Sequence, residues 1–261
     1  MFESLSFEHH CCSITIVSRL KQITEAVRDA GSLGVADLAS LTGASEMTIR
    51  RDLEVLAAQG VLERYRGGAR SLLLRGSEPP FALRSDENTT AKRRIAAAVA
   101  ALIADGESVV LDSGTTCLEV ARLLHDRRLT VMPLSLHAVN ALSSSSTLTL
   151  LVPGGRPRLG ELALTGPLTL ASLQSLRFDT AVIGCCGLSA EHGLTAFDLE
   201  DAAVKRAAIT SARRVIAAVD ASKLTRTALA HVAPVSSLDA VVTDAESAEG
   251  LTAAGVAVVT A

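Results

Sequence analysis

From Ser18 onward apolar residues recur at helical spacing: Leu20, Ile23 and Val27 share one face, and the pattern stops at Gly31. A second, shorter helix carries Leu38 and Leu41, and Gly43 suits the left-handed conformation of a tight turn. Ser45 then caps a third helix that runs to about Ala58, with Gly60 as its stop. On the wheel of this third helix Ile49, Leu53 and Leu56 form the inward stripe. Arg51 points away from it, with Met47 and Glu54 beside it and Thr48 and Arg50 on the flanks. The stretch from Val61 to Arg70 alternates around Gly67-Gly68 and reads as a two-stranded hairpin carrying Arg64, Arg66 and Arg70. Three helices followed by a basic hairpin are the order of a winged helix-turn-helix.

Ser77-Glu78-Pro79-Pro80 breaks both periodicities and marks a linker. An Ala-rich helix follows from about Thr89 to Ala104. Beyond it, β-branched runs recur at Ser108 to Leu111, Leu129 to Met132, Leu148 to Val152, Thr180 to Ile183, Val215 to Val219, Ala240 to Thr243 and Val256 to Thr260, with helical stretches between several of them. Such alternation predicts an α/β domain with a mostly parallel sheet covered by helices. The expected organisation is a disordered leader over 1–17, a DNA-binding domain over 18–75 and a larger domain for sensing and oligomerisation over 76–261.

Length and composition agree with two globular domains: 261 residues, 48% hydrophobic and 20% charged. No apolar run reaches the roughly 18 residues of a membrane-spanning helix, and the opening residues lack the pattern of a signal peptide. Net charge is −3, yet Ser18 to Arg75 carries nine Lys or Arg against seven acids, and the rest of the chain is acidic. A confined basic face fits this asymmetry better than a charged tail. The five cysteines, Cys11, Cys12, Cys117, Cys185 and Cys186, make a poor disulfide framework and point to a reducing cytoplasm. His9-His10-Cys11-Cys12 lacks the two spaced ligand pairs of a structural zinc site, so no metal is expected.

Two constellations carry chemistry. In the first, Arg51 and Arg50 are placed to fork onto guanine or clamp a phosphate, Thr48 to touch a phosphate or a thymine methyl, and Ser45, Met47 and the hairpin arginines complete the face. In the second, the strand ending at Leu111 runs into Asp112-Ser113-Gly114-Thr115-Thr116 ahead of a helix. Such a turn presents N–H groups and hydroxyls at the positive end of a helix dipole, where an anion is stabilised. Gly154-Gly155, Gly184-Cys185-Cys186-Gly187 and Asp220-Ala221-Ser222-Lys223 follow other strands, and in an open parallel sheet these ends gather along one edge. Lys205, on a helix starting near Leu199, and Lys223 are candidate point charges for a phosphate.

Ser45-Glu46-Met47-Thr48-Ile49-Arg50-Arg51-Asp52-Leu53, with Arg19, Ile23 and Val27 upstream and Arg66-Gly67-Gly68 after it, resembles the signature of the DeoR family of bacterial regulators. The resemblance implies that the third helix enters the major groove of operator DNA, with Arg50 and Arg51 as principal contacts. From Phe81 to Lys223 the chain is similar to the family's C-terminal sensor domain. The marks are Phe81, Arg84, Lys92 with Ile95-Ala96, Asp112 to Thr116, Gly154-Gly155, Asp179 with Gly184 and Gly187, Gly193-Leu194-Thr195, Lys205, and Asp220 with Ser222-Lys223. This implies a fold shared with ribose 5-phosphate isomerase, a phosphorylated sugar or related effector at Asp112, Ser113, Gly114, Thr115, Thr116, Gly154, Gly155, Lys205, Asp220 and Lys223, and repression relieved by that effector. One departure stands out: where the family usually has Thr-Asn-Ser, this chain has Pro133-Leu134-Ser135.

The expectation is a cytoplasmic homo-oligomer, dimer or tetramer, with no cofactor and no catalytic residues. Two other functions compete. Asp198, Glu200, Asp201 and Lys205 beside a phosphate loop invite a sugar-phosphate isomerase reading, although acids at a helix start are more simply dipole caps. A C-terminal domain that only oligomerises is the other.

Overall fold

No Gly or Pro occurs before Gly31, and the first helix, α1 (Leu5–Ala30), accordingly starts well ahead of Ser18. The structure, a computed structural model, describes residues 5–72, 79, 81–224 and 226–261, with backbone alone for 5–15 and 17. Of the leader expected over 1–17, residues 5–17 fall within α1. The side chains of His9 to Cys12, and Ser77, Glu78 and Pro80 of the expected linker, lie outside the described residues.

The chain divides into two units between Glu87 and Asn88. In the first, α1 is followed by β1 (Ser32–Gly34), α2 (Val35–Thr42), α3 (Glu46–Ala58), β2 (Leu62–Tyr65), β3 (Gly68–Ser71) and α4 (Phe81–Asp86). Its core joins Leu20, Ile23 and Val27 of α1 to Leu38 of α2 and Ile49, Leu53 and Leu56 of α3. Leu83 of α4 is buried in the same core, which is why the division falls later than the expected break after residue 75. Gly43 closes α2 in the left-handed conformation, as its place in the pattern predicts.

The wing has one more strand than the alternation shows. β1 pairs antiparallel with β3, which pairs with β2. The two glycines of the turn divide the work: Gly67 takes φ +96°, whereas Gly68 lies inside β3, where a Cβ would stand 2.3 Å from the Leu33 carbonyl oxygen. Backbone, unlike a flexible side-chain tip, cannot swing clear. Gly68→Ala should therefore push β1 away and cost about 1–3 kcal/mol, read as a lower urea midpoint. An unchanged midpoint would mean that β1 does not hold the wing.

The second unit contains α5 (Thr89–Leu102), β4 (Ser108–Leu111), α6 (Thr115–Leu124), β5 (Thr130–Pro133), α7 (Leu136–Leu142), β6 (Thr149–Leu150), β7 (Arg156–Pro157), β8 (Leu164–Thr165) and α8 (Pro167–Gln174). It continues through β9 (Phe178–Ile183), β10 (Gly187–Ser189), β11 (Gly193–Ala196), α9 (Leu199–Ser211), β12 (Ala212–Ala218), β13 (Ala230–Ala233), β14 (Ala240–Thr243), α10 (Glu249–Ala253) and β15 (Ala257–Thr260). All seven β-branched runs become strands of one sheet, ordered β15-β14-β12-β9-β4-β5-β6 and parallel throughout.

Alternate side chains on these strands feed two cores. Val109, Leu111, Val131, Val182, Ile216 and Val242 pack with α5, α6 and α7, whereas Val110, Met132, Ala181, Ile183, Val215 and Val241 pack with α8 and α9. The order runs one way from β4 through β5 to β6 and the other way from β9 to β15. The reversal lies between β4 and β9, so the loops leaving their carboxyl ends diverge and open a crevice. A small antiparallel sheet, β10-β11-β13, and the β7-β8 hairpin complete the unit.

Candidate functional site

The first candidate site lies on the N-terminal unit. Ser45 caps α3, its Oγ accepting from the Thr48 amide at 3.2 Å. With Ile49, Leu53 and Leu56 buried, Met47, Arg50, Arg51 and Glu54 are left exposed and Thr48 half-buried. Arg64, Arg66 and Arg70 are exposed on the wing. A cleft of about 340 Å³ separates helix from wing, and Arg50, Arg64 and Arg66 line it with Leu53 and Tyr65.

These arginines are not equivalent. Arg50 pairs with Glu46 at 2.8 Å, Arg64 bridges to Glu54 of α3 at 2.9 Å, and the Arg70 Nε donates to Glu63 at 2.7 Å. Among the described residues Arg51 and Arg66 have no acidic partner, so their forks are open to an incoming anion or base edge.

Asp52 is a buried charge on this helix. It sits on the buried stripe of α3, 6% exposed, and receives a two-pronged bond from Arg19 of α1, Nε at 2.6 Å and Nη2 at 3.2 Å. This pair ties α3 to α1. A charged residue three positions after Ile49, inside an apolar stripe, is the signal that could have found it.

The second candidate site lies at the β4–β9 reversal. Asp112, directly after β4, is 1% exposed; its Oδ2 accepts from the Gly184 amide at 2.9 Å and from the Lys205 ammonium. Lys205 is equally buried and lies 3.5 Å from Asp201 one turn earlier on α9. Burial pushes the Asp112 carboxyl up and Asp201 adds to this, against the pull of Lys205. Burial works against the Lys205 charge, but Asp112 and Asp201 outweigh it and hold the ammonium above its ordinary value. The fully ionised trio carries one net negative charge. The Lys205 ammonium, the candidate point charge for a phosphate, is thus matched by two carboxylates in this structure.

The loop from Asp112 leads into α6, whose N-cap is Gly114 and which has no side-chain cap. Its first-turn N–H groups have no intrahelical acceptor, as at any helix start. Ser113 is half-buried, and Thr115 and Thr116 are buried in the first turn. Cys117 beneath them is kept a neutral thiol by burial and by Asp112. Gly154 and Gly155 make their contacts with α8: the Gly154 carbonyl accepts from Thr169 at 2.7 Å, and a Cβ on Gly155 would stand 2.0 Å from the Thr169 Oγ1. Asp220 caps the turn Ala221–Lys223, accepting from the Ser222 amide at 3.1 Å, with Lys223 half-buried at its end.

Pro133 ends β5 and Leu134 follows it. In β5, Thr130 and Leu134 donate to β4, so the Pro133 nitrogen faces β6, where the ladder ends at the Leu151-to-Val131 bond. Leu134 turns into the core at 1% exposure. Ser135 caps α7, and the chain presents no amide side chain at positions 133–135.

Residues 19–73 match the sequence model of the DeoR-like helix-turn-helix domain, and residues 87–245 match that of the DeoR C terminal sensor domain. The chain belongs to the DeoR family. It is 34% identical over 224 residues to the glycerol-3-phosphate regulon repressor of Escherichia coli (strain K12), covering 85% of this chain and 88% of that one. It is 32% identical over 226 residues to the HTH-type transcriptional repressor GlcR of Bacillus subtilis (strain 168), covering 87% of each. Among solved structures, ribose 5-phosphate isomerase A from Methanocaldococcus jannaschii aligns over 53% of this chain and 56% of that one, with a TM-score of 0.41 and 18% identity.

This DeoR-family chain is a DNA-binding transcription regulator. The acids weighed for isomerase chemistry have other partners: Asp198 caps α9 by accepting from the Asp201 amide at 2.8 Å, Glu200 pairs with Arg156 at 3.1 Å, and Asp201 faces Lys205. No described helix is long and apolar enough to cross a membrane, and no group of three His, Cys, Asp or Glu among the described residues could hold a metal ion.

Proposed function

We propose that the protein is a cytoplasmic, oligomeric repressor of a carbohydrate-related catabolic operon, released from its operator by a phosphorylated sugar or similar metabolite. The observation that carries the reading is the uncapped start of α6 beside the buried Asp112, in a unit joined to an open arginine face. Ser45, Met47, Thr48, Arg50, Arg51, Arg64, Arg66 and Arg70 meet DNA, and a dimer or tetramer engages paired half-sites. The effector's anion sits on the first-turn amides of α6, with Ser113, Thr115 and Thr116 at hand and a hydroxyl of the effector within the reach of Asp112.

A phosphorylated effector should raise the melting temperature, and its unphosphorylated parent should not. Ligand at a hundred times its dissociation constant stabilises by about 2.7 kcal/mol. Release from DNA further requires that operator and effector weaken one another by the same factor. Calorimetric titration of a broad panel of sugar phosphates, with and without operator, tests both. If none binds, or if parent sugars bind equally well, the sensor reading fails.

A further inference from the structure

With the Lys205 charge already matched, a dianionic phosphoryl group entering beside Asp112 meets a trio of net negative charge. Its counter-charge must come from elsewhere, and an arginine fork suits a phosphate better than a point charge does. The β7-β8 hairpin supplies the candidates. It is fastened over the end of β5, the neighbour of β4: the Leu164 amide donates to the Leu134 carbonyl at 2.8 Å, the Leu136 amide donates to the Leu162 carbonyl at 2.9 Å, and Ala163 bridges Ser135.

Two arginines stand on this hairpin, and they differ. Arg156 is bound to Glu200 at 3.1 Å. Arg158 reaches the start of α9 but only approaches it, with Nη1 at 4.0 Å from the Asp198 Oδ2. Its Nε is buried and has no hydrogen-bond partner among the described residues, a costly state for a charged donor and one that an arriving acceptor would relieve. Asp198 in turn accepts from the amide of Asp201, which faces Lys205. A continuous chain of contacts thus runs from Arg158 to the Asp112 loop.

We infer that Arg158 is the effector's phosphate-binding cation, closing a two-pronged bond through Nε and one terminal nitrogen, while Lys205 acts as a positioning residue that orders the Asp112 loop. The inference rests on the sensor reading and adds to it the chemical class of the ligand's anchor: a phosphate monoester held by an arginine fork.

The test is titration of inorganic phosphate, glycerol 3-phosphate and glucose 6-phosphate into the full-length protein, with glycerol and glucose as controls. Arg158→Gln should weaken binding of the responding ester roughly tenfold or more. Arg158→Lys, which keeps the charge but loses the fork, should recover only part of that loss. Arg128→Gln, on an exposed arginine distant in the chain, should leave the titration unchanged. Ligand-free melting reports whether each variant folds, and Arg158→Lys decides the matter if Arg158→Gln does not. Wild-type affinity in a folded Arg158 variant overturns this assignment and leaves the sensor reading standing. An absence of binding by any phosphorylated probe to the wild type removes both.

Discussion

Replacing Lys205 with Met should destabilise the second unit by about 3–5 kcal/mol with no ligand present, because it strands two buried carboxylates. Asp112 and Asp201 are 1% and 8% exposed at their side chains, and the ammonium between them supplies the only positive charge in the trio. The loss should depend on pH in a defined direction. The Lys205 contribution is present in full below the ordinary lysine value of 10.5 and fades only as pH climbs through its higher folded value. In the variant the penalty comes from ionised carboxylates. It should shrink as acid protonates Asp112, whose folded value already lies above the ordinary one. Adding Asp112→Asn to the Met variant should restore part of the stability, since an amide tolerates the site without a counter-ion. Urea unfolding across a pH series measures all of this. A Met variant within about 0.5 kcal/mol of wild type, the size of a surface substitution, would show that the trio is not a buried charge cluster.

The same residues show where reading the chain succeeds and where it stops. Every strand of the parallel sheet was legible, because a strand buried on both faces reads as an unbroken β-branched run such as Ser108 to Leu111 or Ala240 to Thr243. The hairpin holding Arg158 was not. Its strands are two residues each, one of them Arg156–Pro157, and proline in so short a run reads as loop. The first residues carry no apolar stripe, yet no Gly or Pro stops a helix there, and α1 runs back to Leu5. For Lys205 the residue was legible but its partner was not. Asp201 one turn earlier hinted at a charge already satisfied, whereas Asp112 lies far away in sequence and only the sheet topology brings it to the same ammonium. That Lys205 meets Asp112 therefore follows from the fold and not from the spacing along the chain.

On the DNA side, changing both Arg50 and Arg51 to Ala should abolish tight operator binding while leaving the fold intact. Both side chains are exposed on α3, outside its buried stripe, so stability should move by no more than about 0.5 kcal/mol. An arginine forked onto guanine contributes about 1–3 kcal/mol of discrimination, which makes Arg51→Ala alone several-fold to a hundredfold weaker at its operator. Arg50→Ala should cost less, because Arg50 already shares its charge with Glu46 and must loosen that pair to reach DNA. Removing the competing acid inverts the expectation: Glu46→Gln should strengthen binding modestly and make it more salt-dependent, since a freed cation releases additional counterions. Salt also separates the two roles. Loss of a phosphate contact lowers the slope of log affinity against log salt by about 0.9, whereas loss of a base contact lowers specific affinity and spares binding to unrelated DNA. The measurement is fluorescence anisotropy on operator and scrambled duplexes at several fixed salt concentrations. Operator binding by the double variant equal to wild type would show that α3 is not the reading helix, and the arginine-lined cleft beside the wing would then need another role.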